Sequence, residues 1–175
     1  MLARTEDLAA VRPAAAAALT IAAISLATIA GAWTFELLGF KPCPLCLEQR
    51  IFHYVAIPLA LVVAVVAWRD APRPLVVGGL ALTGLVLVAG ASLAAYHAGV
   101  EWHWWAGPQD CSGPVARFGS AGDLLKELRT TSVVRCDEAA WRFLGLSLAG
   151  YNALISLALA GIAAWGMRRT LRAQA

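Results

Sequence analysis

Cys43-Pro44-Leu45-Cys46 stands where one long apolar stretch gives way to another, and Arg50 follows four residues after the second cysteine. Two thiols at this spacing close a ring too short to restrain the unfolded chain, so a structural staple explains them badly. A reducible bond with a perturbed thiol pKa explains them well. If a helix begins near Pro44, a residue tolerated in a first turn, Cys46 and Arg50 are i and i+4 and share a face. A fixed positive charge there favours the nucleophilic thiolate. The plainer reading of Arg50 is that it snorkels to headgroups or pairs with Glu48 or Glu36. Zinc is the usual rival at Cys-x-x-Cys, but it takes four ligands and the other two cysteines lack that spacing, so no metal is expected.

Those two, Cys111 and Cys136, lie far downstream, and none of the four cysteines falls inside an apolar run. Cysteines used as small hydrophobes would be scattered through such runs. Even number and placement in connecting segments point to disulfide chemistry in an oxidising compartment. Three connectivities are possible, and proximity favours Cys43–Cys46 and Cys111–Cys136. The second would close a loop of about 25 residues, for which chain entropy gives roughly 3–4 kcal/mol, so a staple is a fair reading of that pair.

The elements that must position these residues are membrane helices. The 175 residues are 60% hydrophobic and 14% charged, with a mean hydropathy of +0.68. Four apolar runs, at about 14–35, 51–68, 75–96 and 144–167, are each long enough to cross a hydrocarbon core of ~30 Å as a helix. The fold expected is an all-α membrane protein: a four-helix bundle forming one domain over residues 1–175, with outward loops at 36–50 and 97–143. The net charge of +3 is too small to suggest nucleic acid. Its placement is more informative, since Arg4 and Arg12, Arg69 and Arg73, and Arg168, Arg169 and Arg172 share one side of a four-span topology. The positive-inside rule makes that side cytoplasmic, with both termini there and all four cysteines outside. Ala30-Gly31-Ala32 resembles a signal-peptide cleavage site, but the first run exceeds the usual h-region, so it is expected to stay as a span.

In the long loop, Ser120-Ala121-Gly122-Asp123 followed by Leu124, Leu125 and Leu128 predicts a short capped amphipathic helix lying on the membrane. Trp102, Trp104, Trp105 and Trp141 read as an interfacial aromatic belt. His97 ends the third run near the expected depth of Arg50, while His53 and His103 carry weaker signals. Ala91, Ala95 and Gly99 form a small-residue stripe that suits close helix approach.

The whole pattern resembles the DsbB family of bacterial inner-membrane disulfide oxidoreductases. Four spans, Lys41-Pro42-Cys43-Pro44-Leu45-Cys46 with Arg50, a second cysteine pair before the last span, Tyr96-His97 and the run Cys136-Asp137-Glu138-Ala139-Ala140-Trp141-Arg142-Phe143-Leu144-Gly145-Leu146 carry the likeness. Members often have an acid beside the arginine, where this chain has Gln49, with Glu48 one step earlier. The resemblance implies a quinone-dependent thiol oxidase that reoxidises a periplasmic thioredoxin-like dithiol oxidase, DsbA, and so supports disulfide formation in exported proteins. It implies that Cys111 meets the partner's thiolate, that Cys136 pairs with it, and that electrons reach Cys43 and Cys46 by thiol–disulfide exchange. Cys46 would then deliver them to ubiquinone or menaquinone, with Arg50 and His97 at the ring. A partner near roughly −120 mV is already strongly oxidising, and ~30 mV is only ~1.4 kcal/mol for two electrons, so a membrane sink is needed. The alternatives are a vitamin-K-epoxide-reductase-like protein, whose Cys-x-x-Cys comes late in the bundle, a disulfide-stapled scaffold without enzymatic activity, and a metal or haem protein using His97, His103 and the cysteines.

Overall fold

The computed structural model describes residues 3–108 and 134–172, with side chains from residue 13 onward. Four helices, α1 (Ala3–Leu37), α2 (Pro44–Trp68), α3 (Arg73–Glu101) and α4 (Leu148–Arg172), carry the chain, and a two-stranded hairpin, β1 (Arg142–Phe143) and β2 (Leu146–Ser147), precedes α4. Each helix has a stretch long and apolar enough to cross a membrane, at Pro13–Leu37, Pro44–Trp68, Arg73–Glu101 and Leu148–Arg172. The protein is a multi-pass membrane protein.

The helices outrun the apolar stretches where polar residues can still be helical at an interface. The second begins seven residues before Ile51, because Cys43 caps it and Pro44 opens its first turn. The fourth begins later than Leu144, and the hairpin is the one departure from an all-α expectation. Leu144 and Gly145 have φ of 49° and 83°, as a two-residue primed turn requires. Ser147 then accepts a hydrogen bond from Gly150 N–H at 3.2 Å and caps α4. The amphipathic helix expected at 120–129 and Cys111 lie outside the described residues.

Three helices end in one motif, which sets the chain's exit direction. At α1, Phe40 N–H donates to Phe35 C=O and Gly39 N–H to Glu36 C=O. Gly39 is left-handed at φ 96°, and Phe35 packs edge-on against Phe40 at 5.6 Å. This is a Schellman motif with its apolar contact, and it turns the chain into Lys41-Pro42-Cys43. Asp70 and His103 occupy the same left-handed position after α2 and α3. His103, a weak ligand candidate by sequence, is thus a helix-ending residue.

In cross-section the helices form a ring: α1 packs on α2 and α4, and α3 on α2 and α4. The contact faces are built of small residues, among them Ala18, Ala56, Ala60, Ala94 and Ala163, all fully buried. Leu26, Val62, Leu85 and Leu157 face outward, as expected where lipid is the solvent and helix association relies on close packing. Gly166 shows how close: a Cβ there would lie 2.9 Å from Ala17 Cβ on α1. The expected Ala91/Ala95/Gly99 stripe is not such a seam. Ala95 is exposed, and Gly99 makes room for the Trp105 indole, whose nearest atom would meet a Cβ at 2.1 Å.

Candidate active site

Cys43 sits at the N-cap of α2 with extended backbone (φ −78°, ψ 166°), and its Sγ accepts from Cys46 N–H at 3.3 Å. One helical turn separates the two cysteines, so their sulfurs meet. They are free thiols with Sγ atoms 2.8 Å apart, within about 1 Å of bonding distance. They face different surroundings. Cys43 is buried in an apolar cluster with Leu45, Val100 and Cys136. Cys46 packs against the edge of that cluster and, unlike Cys43, also lines a cleft of about 280 Å³.

Cys136 reaches Cys43 from the far side of the chain. The Cys136 sulfur, the Cys43 sulfur and a His97 ring nitrogen all lie within 4.8 Å of one another. Cys136 is disulfide-bonded, with its partner outside the described residues. The segment around it is fixed by Arg135, which clasps Asp137 through two hydrogen bonds of 2.9 and 2.5 Å. That clasp holds the Asp137 carboxyl below the usual carboxylate range. Arg142 donates to Glu101 C=O at 3.1 Å, tying the hairpin to the end of α3. Cys43, His97 and Cys136 could hold a metal only with Cys136 reduced, since thiolate is the ligating form.

His97 is fully buried between these sulfurs and Gln49, and it is not among the cleft-lining residues. Its Nε2 lies 3.6 Å from Cys43 Sγ and 3.2 Å from Cys136 C=O. Its Nδ1 is 2.6 Å from Gln49 Nε2. Glu101, one turn further along α3, has a carboxylate oxygen 3.8 Å from His97 Nε2.

The cleft lies between α1, α2 and α4. Phe35, Phe40, Ile29 and Ile155 supply apolar walls, and Cys46, Gln49, Arg50 and His53 supply the polar points on α2. Arg50 shares the face of Cys46, as the i, i+4 spacing predicts, and also pairs with Glu36 on α1. The plain reading of Arg50, a pairing with Glu36, is the one the geometry shows, and the side chain also lines the cleft beside Cys46. Glu48 is exposed, while Gln49 is buried and central. Trp141 stacks with Phe143 and packs on Phe35. Trp105 stacks on Tyr96.

Asn152 carries no reactive group, so its residue type alone does not mark it as part of the site. It donates to Gln49 Oε1 at 2.9 Å and holds His53 Nε2 at 2.8 Å through Oδ1. The available signal was an amide within an apolar run, since polar groups inside membrane spans are costly and tend to be functional.

The Cys43 thiol is pulled down to about 5. The hydrogen bond with Cys46 contributes most; burial opposes it, and the hydrogen bond with His97 adds to the lowering. The thiolate is thus the main form above about pH 5 and is lost only as pH falls through that value. In the reduced protein, Cys43 alkylation by a small haloacetamide is expected to be flat across neutral pH and to drop near pH 5. A rate climbing roughly tenfold per pH unit through neutrality would show an ordinary thiol instead.

The family model described as "Disulfide bond formation protein DsbB" matches residues 14–166. Among relatives, disulfide bond formation protein B of Polaromonas sp. is 28% identical over 153 residues, covering 81% of this chain and 86% of that protein. The protein of the same name from Saccharophagus degradans is 31% identical over 149 residues, with 81% and 85% covered. That from Azoarcus sp. is 34% identical over 140 residues, with 73% and 75% covered. No solved structure matches the chain. A match running from the first helix nearly to the end of the last, on a bundle that sets a Cys-x-x-Cys pair against a third cysteine, places this chain in the DsbB family, as a membrane disulfide oxidoreductase of disulfide bond formation.

Proposed function

We propose that the protein reoxidises a DsbA-like periplasmic dithiol oxidase and passes the electrons to a membrane quinone, ubiquinone or menaquinone. One observation carries this reading: the Cys-x-x-Cys pair divides its two sulfurs between two environments. Cys43 lies against Cys136, while Cys46 lies in the wall of an apolar cleft. A staple has no use for that division, whereas an electron relay requires it.

In this reading the partner's thiolate attacks Cys111, breaking the Cys111–Cys136 bond and releasing the Cys136 thiolate. Cys136 attacks Cys43 Sγ of the oxidised Cys43–Cys46 pair, and Cys46 leaves as a thiolate in the cleft wall. The second partner thiol resolves the mixed disulfide at Cys111, so the partner leaves oxidised. The contact of Cys136 Sγ with Cys43 rather than with the cleft supports this order. The hydrogen bond from His97 to Cys43 Sγ supports a role for His97 at the sulfurs rather than at the ring.

The cleft suits a flat apolar ring with polar edges, since aromatic walls meet a few convergent polar groups there. Phe35 and Phe40 would hold the ring's faces, and the Arg50 guanidinium would donate to an oxygen at its edge. When bound, the quinone supplies a sink for two electrons and two protons. Arg69 and Arg73 at one end of the bundle, with Arg168, Arg169 and Arg172, support a cytoplasmic location for that end and a periplasmic one for the cysteines, in a bacterial inner membrane.

The test is quinone reduction by purified protein given a reduced DsbA-like partner. Stoichiometric quinone loss and partner oxidation are expected. No turnover with either quinone type, with all four cysteines still oxidised, would overturn the reading. Arg50→Ala is expected to raise KM for quinone roughly 10- to 100-fold, the worth of a hydrogen bond from a charged donor. KM for the partner should not change, and an unaltered quinone KM would remove Arg50 from the ring site.

A further inference from the structure

Four side chains spanning α2, α3 and α4 form a hydrogen-bonded row: His97, Gln49, Asn152 and His53. Backbone carbonyls fix the direction of every bond in it. Leu45 C=O, which can only accept, lies 3.2 Å from Gln49 Nε2, so the Gln49 nitrogen is on that side and its second N–H donates to His97 Nδ1. His97 must then carry its proton on Nε2, and Cys136 C=O, another pure acceptor, requires the same tautomer. In the other direction, Gln49 Oε1 accepts from Asn152 Nδ2, which leaves Asn152 Oδ1 to accept from His53 Nε2–H. Ser156 Oγ lies near that same nitrogen, at 3.4 Å.

His53 therefore ends the row with a bare lone pair on Nδ1. Among the described residues, three buried side-chain polar atoms lack a hydrogen-bond partner: Ser25 Oγ, Glu101 Oε2 and His53 Nδ1. Only His53 belongs to the cleft wall. An unpartnered buried acceptor is costly, and its persistence calls for a ligand.

Resting on the quinone reading above, we propose that His53 Nδ1 accepts a hydrogen bond from a hydroxyl of the reduced ring, the hydroquinone. The chemistry selects the redox form. A quinone's ring oxygens only accept, so the oxidised form has nothing to offer a bare Nδ1. Reduction turns those oxygens into hydroxyl donors. Cys46 and Arg50 mark the part of the cleft that meets the oxidised form, and His53, one turn further along α2, binds the product. His53 is a positioning residue that sets the relative affinity for the two forms.

The experiment is equilibrium binding of a short-chain quinone and, separately, of its hydroquinone to the detergent-solubilised protein. Both cysteine pairs are kept oxidised under anaerobic conditions, so no dithiol is present to turn the quinone over. His53→Gln places an amide nitrogen where Nε2 lies, keeping the bond to Asn152 and leaving no acceptor at the position of Nδ1. It is expected to weaken hydroquinone binding about tenfold and to leave quinone binding unchanged. His53→Asn places a carbonyl oxygen where Nδ1 lies and is expected to keep hydroquinone binding. Equal binding of both ligands by wild type and His53→Gln overturns the assignment while leaving the quinone site standing. Equal weakening of both ligands in His53→Gln means a structural role and also overturns it, as does loss of hydroquinone binding alone in His53→Asn. Failure of wild type to bind either ligand overturns the quinone reading itself.

Discussion

Cys46→Ser is expected to take quinone-coupled turnover to background while the protein stays folded, and to leave Cys43 bonded to Cys136. The reason is the placement of the two sulfurs. Cys46 is the cysteine of the pair that lines the cleft, and it packs only at the edge of the buried cluster of Cys43, Leu45, Val100 and Cys136, so a serine of similar size removes the exit and keeps the fold. Cys43 is then a thiol with no neighbour in its own motif, within 4.8 Å of a sulfur that is itself in a disulfide. Its thiolate attacks Cys136 Sγ, the existing bond of Cys136 breaks, and the other cysteine leaves as a thiol. No outside oxidant is needed, because one disulfide replaces another. Peptide mapping without reduction reads the result directly. Recovery of Cys43 as a free thiol, or turnover above background, would mean that the two sulfurs do not exchange and that electrons leave elsewhere.

Gln49→Leu is expected to be the most damaging substitution that touches no sulfur. It removes the donor to Leu45 C=O and His97 Nδ1 and the acceptor of Asn152 Nδ2. Leucine fills a similar volume but leaves His97 Nδ1 and an Asn152 N–H without partners. Each such group costs about 1–3 kcal/mol, so the two together cost roughly 2–6 kcal/mol, and the lower end is expected because polar groups in membrane bundles find substitute partners. The thermal midpoint in detergent measures this part. The second consequence is chemical. Without the Gln49 donor, the His97 tautomer is held only by Cys136 C=O, and the hydrogen bond from His97 that helps keep Cys43 ionised weakens. The Cys43 alkylation profile should therefore move to higher pH. A stable variant with an unchanged profile would show that Gln49 merely fills space.

The division between what could and could not be read from the chain follows sequence distance. Hydropathy over 18–25 residues suffices for a membrane helix, since the length is dictated by the bilayer and every backbone group is satisfied within the segment. For the same reason the Pro44 start and the shared face of Cys46 and Arg50 were legible: they depend on four to eight neighbouring residues. The hairpin at Leu144 and Gly145 was not, because a leucine gives no signal for a left-handed turn position. The site's polarity was hidden for a different reason. His97 meets Gln49 across 48 positions, and Asn152 meets Gln49 across 103. Which residues face inward at those points depends on helix rotation, set by small-residue packing such as Gly166 on Ala17, and period alone does not resolve it. The sequence by itself determined the four spans, the cysteine pair at the start of the second and the side of the membrane expected for it. Only the tertiary structure decided that Cys43 meets Cys136, that Cys46 meets the cleft, and that His97 and His53 stand at opposite ends of one row of hydrogen bonds, because those contacts exist only where three separate helices converge.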